Sequence, residues 1–333
     1  MTIILSHESA LEYWRAARVG QAPQAKATRQ QSLPRRLPRP SEVLTELQEE
    51  GLDLGLPVHV LITGENRRSK ASTIRKHSTA SPAPRDSLVR LGPSTLASSP
   101  EMCLLQMAKQ LDLPQLVLLG CEFCGSYVRT PQGCMYGLEP ATSINKLRFF
   151  AERAGGLHGI KLLRRAIPLM LPNSASPMES RLAIMLCFPR HLGGYGLPAP
   201  KLNWKIVPDE DERKLVSQDF YVCDLCWPEK KVIAEYDSDQ FHTQAGKISH
   251  DANRRNDLEA LGYHPITVTA RHMSSQSQLD DLTNKIAKRL GEKPCPRDSQ
   301  HLQRQLDLQR SLFAGKDERP DRRISEVLGR PQR

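Results

Sequence analysis

Residues 221–236 read "YVCDLCWPEKKVIAEY", and few stretches of this chain leave the backbone so little choice. Two runs of alternating, β-favouring residues flank "WPEK", whose proline and charged pair break any strand, so the stretch predicts a hairpin. With Glu229 and Lys230 as the two turn residues, Pro228 faces Lys231, and counting back sets Asp224 opposite Glu235. Directly opposed residues share a face of the sheet, with Cβ atoms roughly 4.5–5.5 Å apart. Asp237, two residues on, projects to that face too, while Tyr221, Cys223, Leu225, Val232, Ala234 and Tyr236 line the other and suit a core. Carboxylates held that close repel each other and raise each other's proton affinity unless a cation lies between them. Hard divalent ions take oxygen ligands in such a setting. The competing reading is a solvent-facing acidic pair balanced by Lys230 and Lys231.

The surrounding texture supports one α/β domain. "NSASPMESRLAIMLCF" predicts a helix with Ser176 as cap, Pro177 in its first position and Glu179 in its first turn. "LNWKIV" is a strand, "GKISHDANRRNDLEALGY" a helix stopped by Gly262, "HPITVTA" a further strand, and a last amphipathic helix covers about 276–290. On the second of these helices Asp251, Arg254, Leu258 and Leu261 recur at helical spacing, which predicts a charged pair on the core-facing stripe. Such a pair is either an internal Asp251–Arg254 ion pair or a turn that abuts the carboxylates, with Arg254 steering an acid or a phosphate.

The first half reads differently. Helices are expected at a Ser9 cap, after Ser41, after Ser99-Pro100-Glu101, from about 114, over "ATSINKLRFFAERA" and over "GLHGIKLLRRAIPLML", with a single strand at "PVHVLI". Four segments follow: an N-terminal helix and basic linker (1–40), a mostly helical region (41–172), the α/β domain (173–292) and a charged tail (293–333), helical in part or disordered. Residues 18–40 carry Arg18, Lys26, Arg29, Arg35, Arg36 and Arg39 without an acid, within a net charge of +10 for the 333 residues. Segments of this kind gain free energy beside phosphates by releasing counterions, so DNA is the expected partner, against the alternative of a solvated linker.

The N-terminus lacks a leader pattern, and no apolar run approaches the roughly 18 residues that span a bilayer, so a cytoplasmic, non-membrane protein is expected. Cys121–Cys124 and Cys223–Cys226 have zinc-like spacing, but residues three apart on a strand point to opposite faces, so buried thiols are the favoured reading.

"SPMESRL", "GGYGLPAPKLN", "YVCDLCWPEKKVIAEYDSDQFH" and "HDANRRNDLEALGYHPITVT" together resemble the PD-(D/E)XK nuclease superfamily. Within it they look most like the domain-of-unknown-function 559 branch, related to very-short-patch repair endonucleases. The resemblance implies a restriction-endonuclease-like mixed sheet flanked by helices, and magnesium-dependent (or manganese-dependent) hydrolysis of DNA. Asp224 and Glu235 would be the metal carboxylates and Glu179 the acid from the preceding helix. Asp237 and His242 match the branch's acid-plus-histidine extension, and Asp251 with Arg254 its helix signature. The superfamily's usual lysine is Asp237 here, and a paired histidine is reduced to Phe241-His242, so His242 becomes the candidate for activating water, against a structural role. "LSHESALEYWR" and "SPEMCLLQMAKQLDLPQLVLL" faintly resemble AbiEi-type antitoxins, which implies a toxin or regulatory partner and keeps a second reading open: a DNA-binding regulator with a degenerate nuclease fold. A zinc-stapled interaction protein is the third.

Overall fold

The computed structural model describes residues 2–64, 73–79, 83–237, 245–295, 298–314 and 322–328, with the side chains of 245–250 excepted. The chain folds as two units, residues 1–170 with 314–333, and residues 171–313. Both are mixed α/β. No helix among the described residues is long and apolar enough to cross a membrane.

The first unit opens with β1 (Ile3–Leu5), α1 (His7–Arg18), β2 (Lys26–Ala27) and α2 (Pro40–Glu49). There follow β3 (Val58–Thr63), β4 (Ile74–Thr79), β5 (Leu88–Arg90) and β6 (Thr95–Ser98). It continues through α3 (Pro100–Met107), α4 (Leu113–Phe123), β7 (Val128–Thr130), β8 (Gly133–Met135), α5 (Ile144–Arg153) and α6 (Ile160–Ala166). A six-stranded sheet ordered β2-β5-β6-β1-β3-β4 runs through it. The expectation of helices with one strand is corrected here. Most of the added strands are too short to show a period of two, and β1, "IIL", is a continuous apolar run because both its faces are covered. Ile3, Leu5, Val58, Val60 and Ile74 from this sheet meet Tyr13, Val43 and Leu47 in one core. Helix α1 also starts earlier than expected, after Ser6, because its buried face is His7, Ala10 and Tyr13.

A buried carboxylate ties this unit together. Glu122, 0% exposed, accepts from Arg15 Nε and Arg129 Nε at 2.8 Å each. Burial alone would raise its pKa, but the two guanidinium groups hold it down at about 2. Arg18 donates to the carbonyls of Glu122, Gly125, Tyr127 and Glu139, and Arg90 to those of Gly92 and Pro93. Part of the basic segments is therefore structural.

The second unit comprises α7 (Pro177–Cys187), β9 (Lys201–Ile206), β10 (Tyr221–Trp227), β11 (Val232–Asp237), α8 (Ala245–Ala260), β12 (His264–Thr269), α9 (Ala270–Ser274), α10 (Gln276–Leu290) and α11 (Ser299–Phe313). Its four-stranded sheet is ordered β12-β11-β10-β9. The strands β9, β10 and β11 form an antiparallel meander, and α8 carries the chain over to β12, parallel to β11. Leu258 and Leu261 of α8 pack with Ile206, Tyr221, Cys223, Cys226 and Ile233. The glycine-rich loop after α7 is close-packed: Gly193 has φ +89°, and a Cβ on Gly194 would collide with the Phe188 carbonyl. The charged tail is helical in part: it supplies α11, whose Leu308 and Leu312 are buried and whose Leu312 carbonyl accepts from Arg181 Nε at 3.0 Å. The last element, α12 (Ile324–Leu328), belongs to the first unit, where Ile324 is buried.

Candidate functional site

Helix α7 places the first acid. Ser176 Oγ accepts from Glu179 N at 3.1 Å and Pro177 occupies the first turn, so the helix begins where its sequence signals it. Glu179 is 7% exposed, and its Oε2 accepts from Ala175 N at 2.9 Å and from Asn203 Nδ2 at 2.8 Å. Asn203 lies in β9 with φ +49°, and its Nδ2 also donates to the Asn173 carbonyl at 2.8 Å. Sequence reasoning passed over this residue, although an asparagine inside a short strand is disfavoured and signals a local break.

The hairpin places the next two. Leu225 pairs with Ala234, Cys226 with Ile233 and Trp227 with Val232, so continuing the register sets Asp224 opposite Glu235. Residues Pro228–Lys230 form a short 3₁₀ turn with Lys231 at φ +49°, a wider connection than a two-residue turn that keeps the same count. The ladder between β9 and β10 passes over Asp224 and Asn203. Asp224 Oδ2 instead accepts from Tyr236 N at 2.8 Å, so the acid itself satisfies a backbone donor of the neighbouring strand. Glu235 Oε1 accepts from Arg254 Nη2 at 2.6 Å, and the same nitrogen donates to the Val222 carbonyl at 2.7 Å. Arg254 also sits 5.8 Å from the centroid of the Tyr221 ring.

Asp224 registers this crowding. Burial, then Glu179, and more weakly Glu235, push its carboxyl up to about 7, against the opposing Tyr236 N–H and Arg254. Glu179 and Glu235 are thus each within electrostatic reach of Asp224, and Arg254 joins them through Glu235. Asp237 stands at the exposed end of β11, opposite Thr269 of β12, with Glu235 inward of it on the same strand. His242 lies outside the described residues. Asp251 is exposed, which corrects its expected place on the core stripe: Leu258 and Leu261 are buried, Arg254 is half-buried, and the stripe ends there because α8 has run past the edge of the core. The guanidinium of Arg254 goes to Glu235 across the strand instead of staying on its own helix.

A hard cation suits the two hairpin acids better than all three. The oxygens of Glu179, Asp224 and Glu235 do not all come within 4.8 Å of one another; among the described residues the trio that does is Glu8, His59 and His77. Magnesium keeps several waters and commonly takes one or two carboxylates, so Asp224 and Glu235 match its donor set, with Glu179 as a neighbouring acid. Cys223 and Cys226 are buried in β10, where burial pushes both thiols up to about 12.

The chain is similar to two uncharacterized proteins of Mycobacterium tuberculosis, MT2308 of strain CDC 1551 / Oshkosh and Rv2248 of strain ATCC 25618 / H37Rv. Each is 24% identical over 168 residues, which is 50% of this chain and 52% of the relative. The chain therefore spans about half the length of the curated relatives it matches. No family model matches it, and no solved structure does so.

Proposed function

We propose that the second unit is an endonuclease-like site that hydrolyses DNA phosphodiester bonds with magnesium or manganese, held by Asp224 and Glu235. One observation carries the reading: a helix, two strands of a hairpin and the following helix bring Glu179, Asp224, Glu235 and Arg254 together, and Asp224 is left with a carboxyl at about 7. A fold does not retain such crowding cheaply without a cation to relieve it. When bound, the ion would supply Lewis-acid polarisation of the phosphoryl oxygen and make water acidic enough to attack at neutral pH.

The chain's own groups would do the rest. Asp224 and Glu235 would hold the ion, and Glu179, tied down by Asn203, would keep a further negative charge beside Asp224. Arg254 is positioned to offset charge that builds on the phosphate. Water would add to phosphorus and pass its proton to Asp237, the last residue of β11, or to His242 beyond it in the sequence, while the bond to one ester oxygen breaks and that oxygen leaves with a proton from solvent. With DNA as substrate the protein would act in the cytoplasm, and exposed arginines of the basic segments would hold the backbone.

The test is plasmid nicking by the full chain under a magnesium and manganese titration. Wild type is expected to nick; Asp224→Ala and Glu235→Ala are expected to lose at least about 100-fold while keeping their circular dichroism spectra, a loss in the range of one removed electrostatic element. The Glu235–Arg254 bond favours a second reading, a DNA-binding regulator or antitoxin whose site is closed by its own arginine. Salt-dependent DNA binding that survives both substitutions, with no cleavage of double-stranded, single-stranded or mismatched DNA, selects that reading and rejects the first.

A further inference from the structure

A second cluster lies in the first unit, and the carboxylate site makes no use of it. His7 and Glu8 begin α1, His59 lies in β3 and His77 in β4. His59 Nδ1 is 3.2 Å from His77 Nε2 and touches Glu8 Oε2. The His77 ring stacks on that of His7, centroids 3.5 Å apart and planes 16° from parallel. His7 is 2% exposed, and neither of its buried ring nitrogens has a hydrogen-bond partner. A neutral imidazole carries one donor and one acceptor, and leaving either buried and unpaired costs on the order of 1–3 kcal/mol. Three imidazoles and one carboxylate are more polar atoms than this pocket satisfies from within.

We propose that Glu8, His59 and His77 form a binding site for a divalent transition-metal ion of the zinc class. Tetrahedral ligands at zinc's usual distance of about 2.0–2.1 Å lie roughly 3.3 Å apart, and the two histidine nitrogens are already 3.2 Å apart. Two imidazoles and a carboxylate select a borderline ion over magnesium or calcium, which prefer oxygen alone. His7, stacked on His77, sets the plane of that ring. Glu8 and His59 also line a cavity of about 630 Å³ that carries Arg15, Arg75, Arg129 and Arg323. An ion held there would border this cavity, whose lining also carries Glu12 and Asp53. This site is independent of the carboxylate site: each can fail without the other.

The full chain, stripped with chelator, is titrated with zinc by calorimetry and with cobalt(II) by absorption. One equivalent of zinc is expected, together with the visible bands of tetrahedral cobalt and no thiolate charge-transfer band. His59→Ala and His77→Ala are each expected to weaken zinc binding by at least about tenfold, while Glu152→Ala, at an exposed position of α5, leaves it unchanged. Should an alanine variant misfold by circular dichroism, His77→Gln at that half-buried position, with the wild-type cobalt spectrum, carries the test. A wild type without stoichiometric zinc, a thiolate band, or folded histidine variants with undiminished affinity overturns the proposal.

Discussion

Asp224 shows how a single side chain can satisfy a backbone donor and crowd against neighbouring carboxylates at once. Its Oδ2 closes a backbone donor of β11 while Glu179 and Glu235 crowd it. With a carboxyl near 7 in the folded chain and an ordinary value of 3.8, the folded state takes up the proton more readily than the unfolded one. Stability from this group is therefore fully present below about 4 and is lost as pH rises through about 7. Asp224→Asn should stabilise the protein above pH 7 by about 2 kcal/mol, since solvent screens part of the roughly 4 kcal/mol that so large a displacement carries. The gain should vanish near pH 4. Thermal melts across that range check it, and a constant difference at every pH would contradict the crowding. The acids themselves were legible in the sequence through register counting. Their partners Asn203 and Arg254 were less so, because one acts through a left-handed backbone and the other through a bond that crosses from helix to strand.

Among the elements, helix α7 and the hairpin β10–β11 are written almost wholly in local chemistry. A serine cap, a proline in the first turn and an alternating pair of runs around "WPEK" each act over a few residues, so no distant partner is required to read them. Ser176→Ala should cost about 1 kcal/mol by removing the acceptor of the Glu179 N–H. Urea unfolding would register it as a lower midpoint with an unchanged slope, and an unaffected midpoint would mean that the cap is redundant. Apart from β3, read from "PVHVLI", the strands of the first unit were not legible. β1, β5 and β6 have three or four residues each, and β1 pairs in parallel with β6, whose residues lie about ninety positions away. No local pattern announces such a partner; only the burial of both faces makes it favourable.

At the scale of the molecule, charge is the property that composition exposes most directly, yet the structure divides the basic residues into two sets. Arg18 and Arg90 are committed to backbone carbonyls, whereas Arg35 and Arg36 are exposed. If the exposed pair meets phosphates, Arg35→Gln with Arg36→Gln should flatten the dependence of DNA affinity on salt by roughly 0.9 for each phosphate no longer neutralised. A salt titration of binding reads this directly, and an unchanged slope would remove the pair from any DNA interface. The sequence by itself determined the α/β class, the hairpin register that sets Asp224 opposite Glu235, and the start of α7, because each follows from turns, caps and periodicity over short stretches. Only the tertiary structure decided that the first unit carries a six-stranded sheet, that Arg254 answers Glu235, and that His59 and His77 meet beside Glu8. Those outcomes depend on burial and on pairing between distant segments, where a side chain's neighbours are set by the closing of the core and not by its place along the chain.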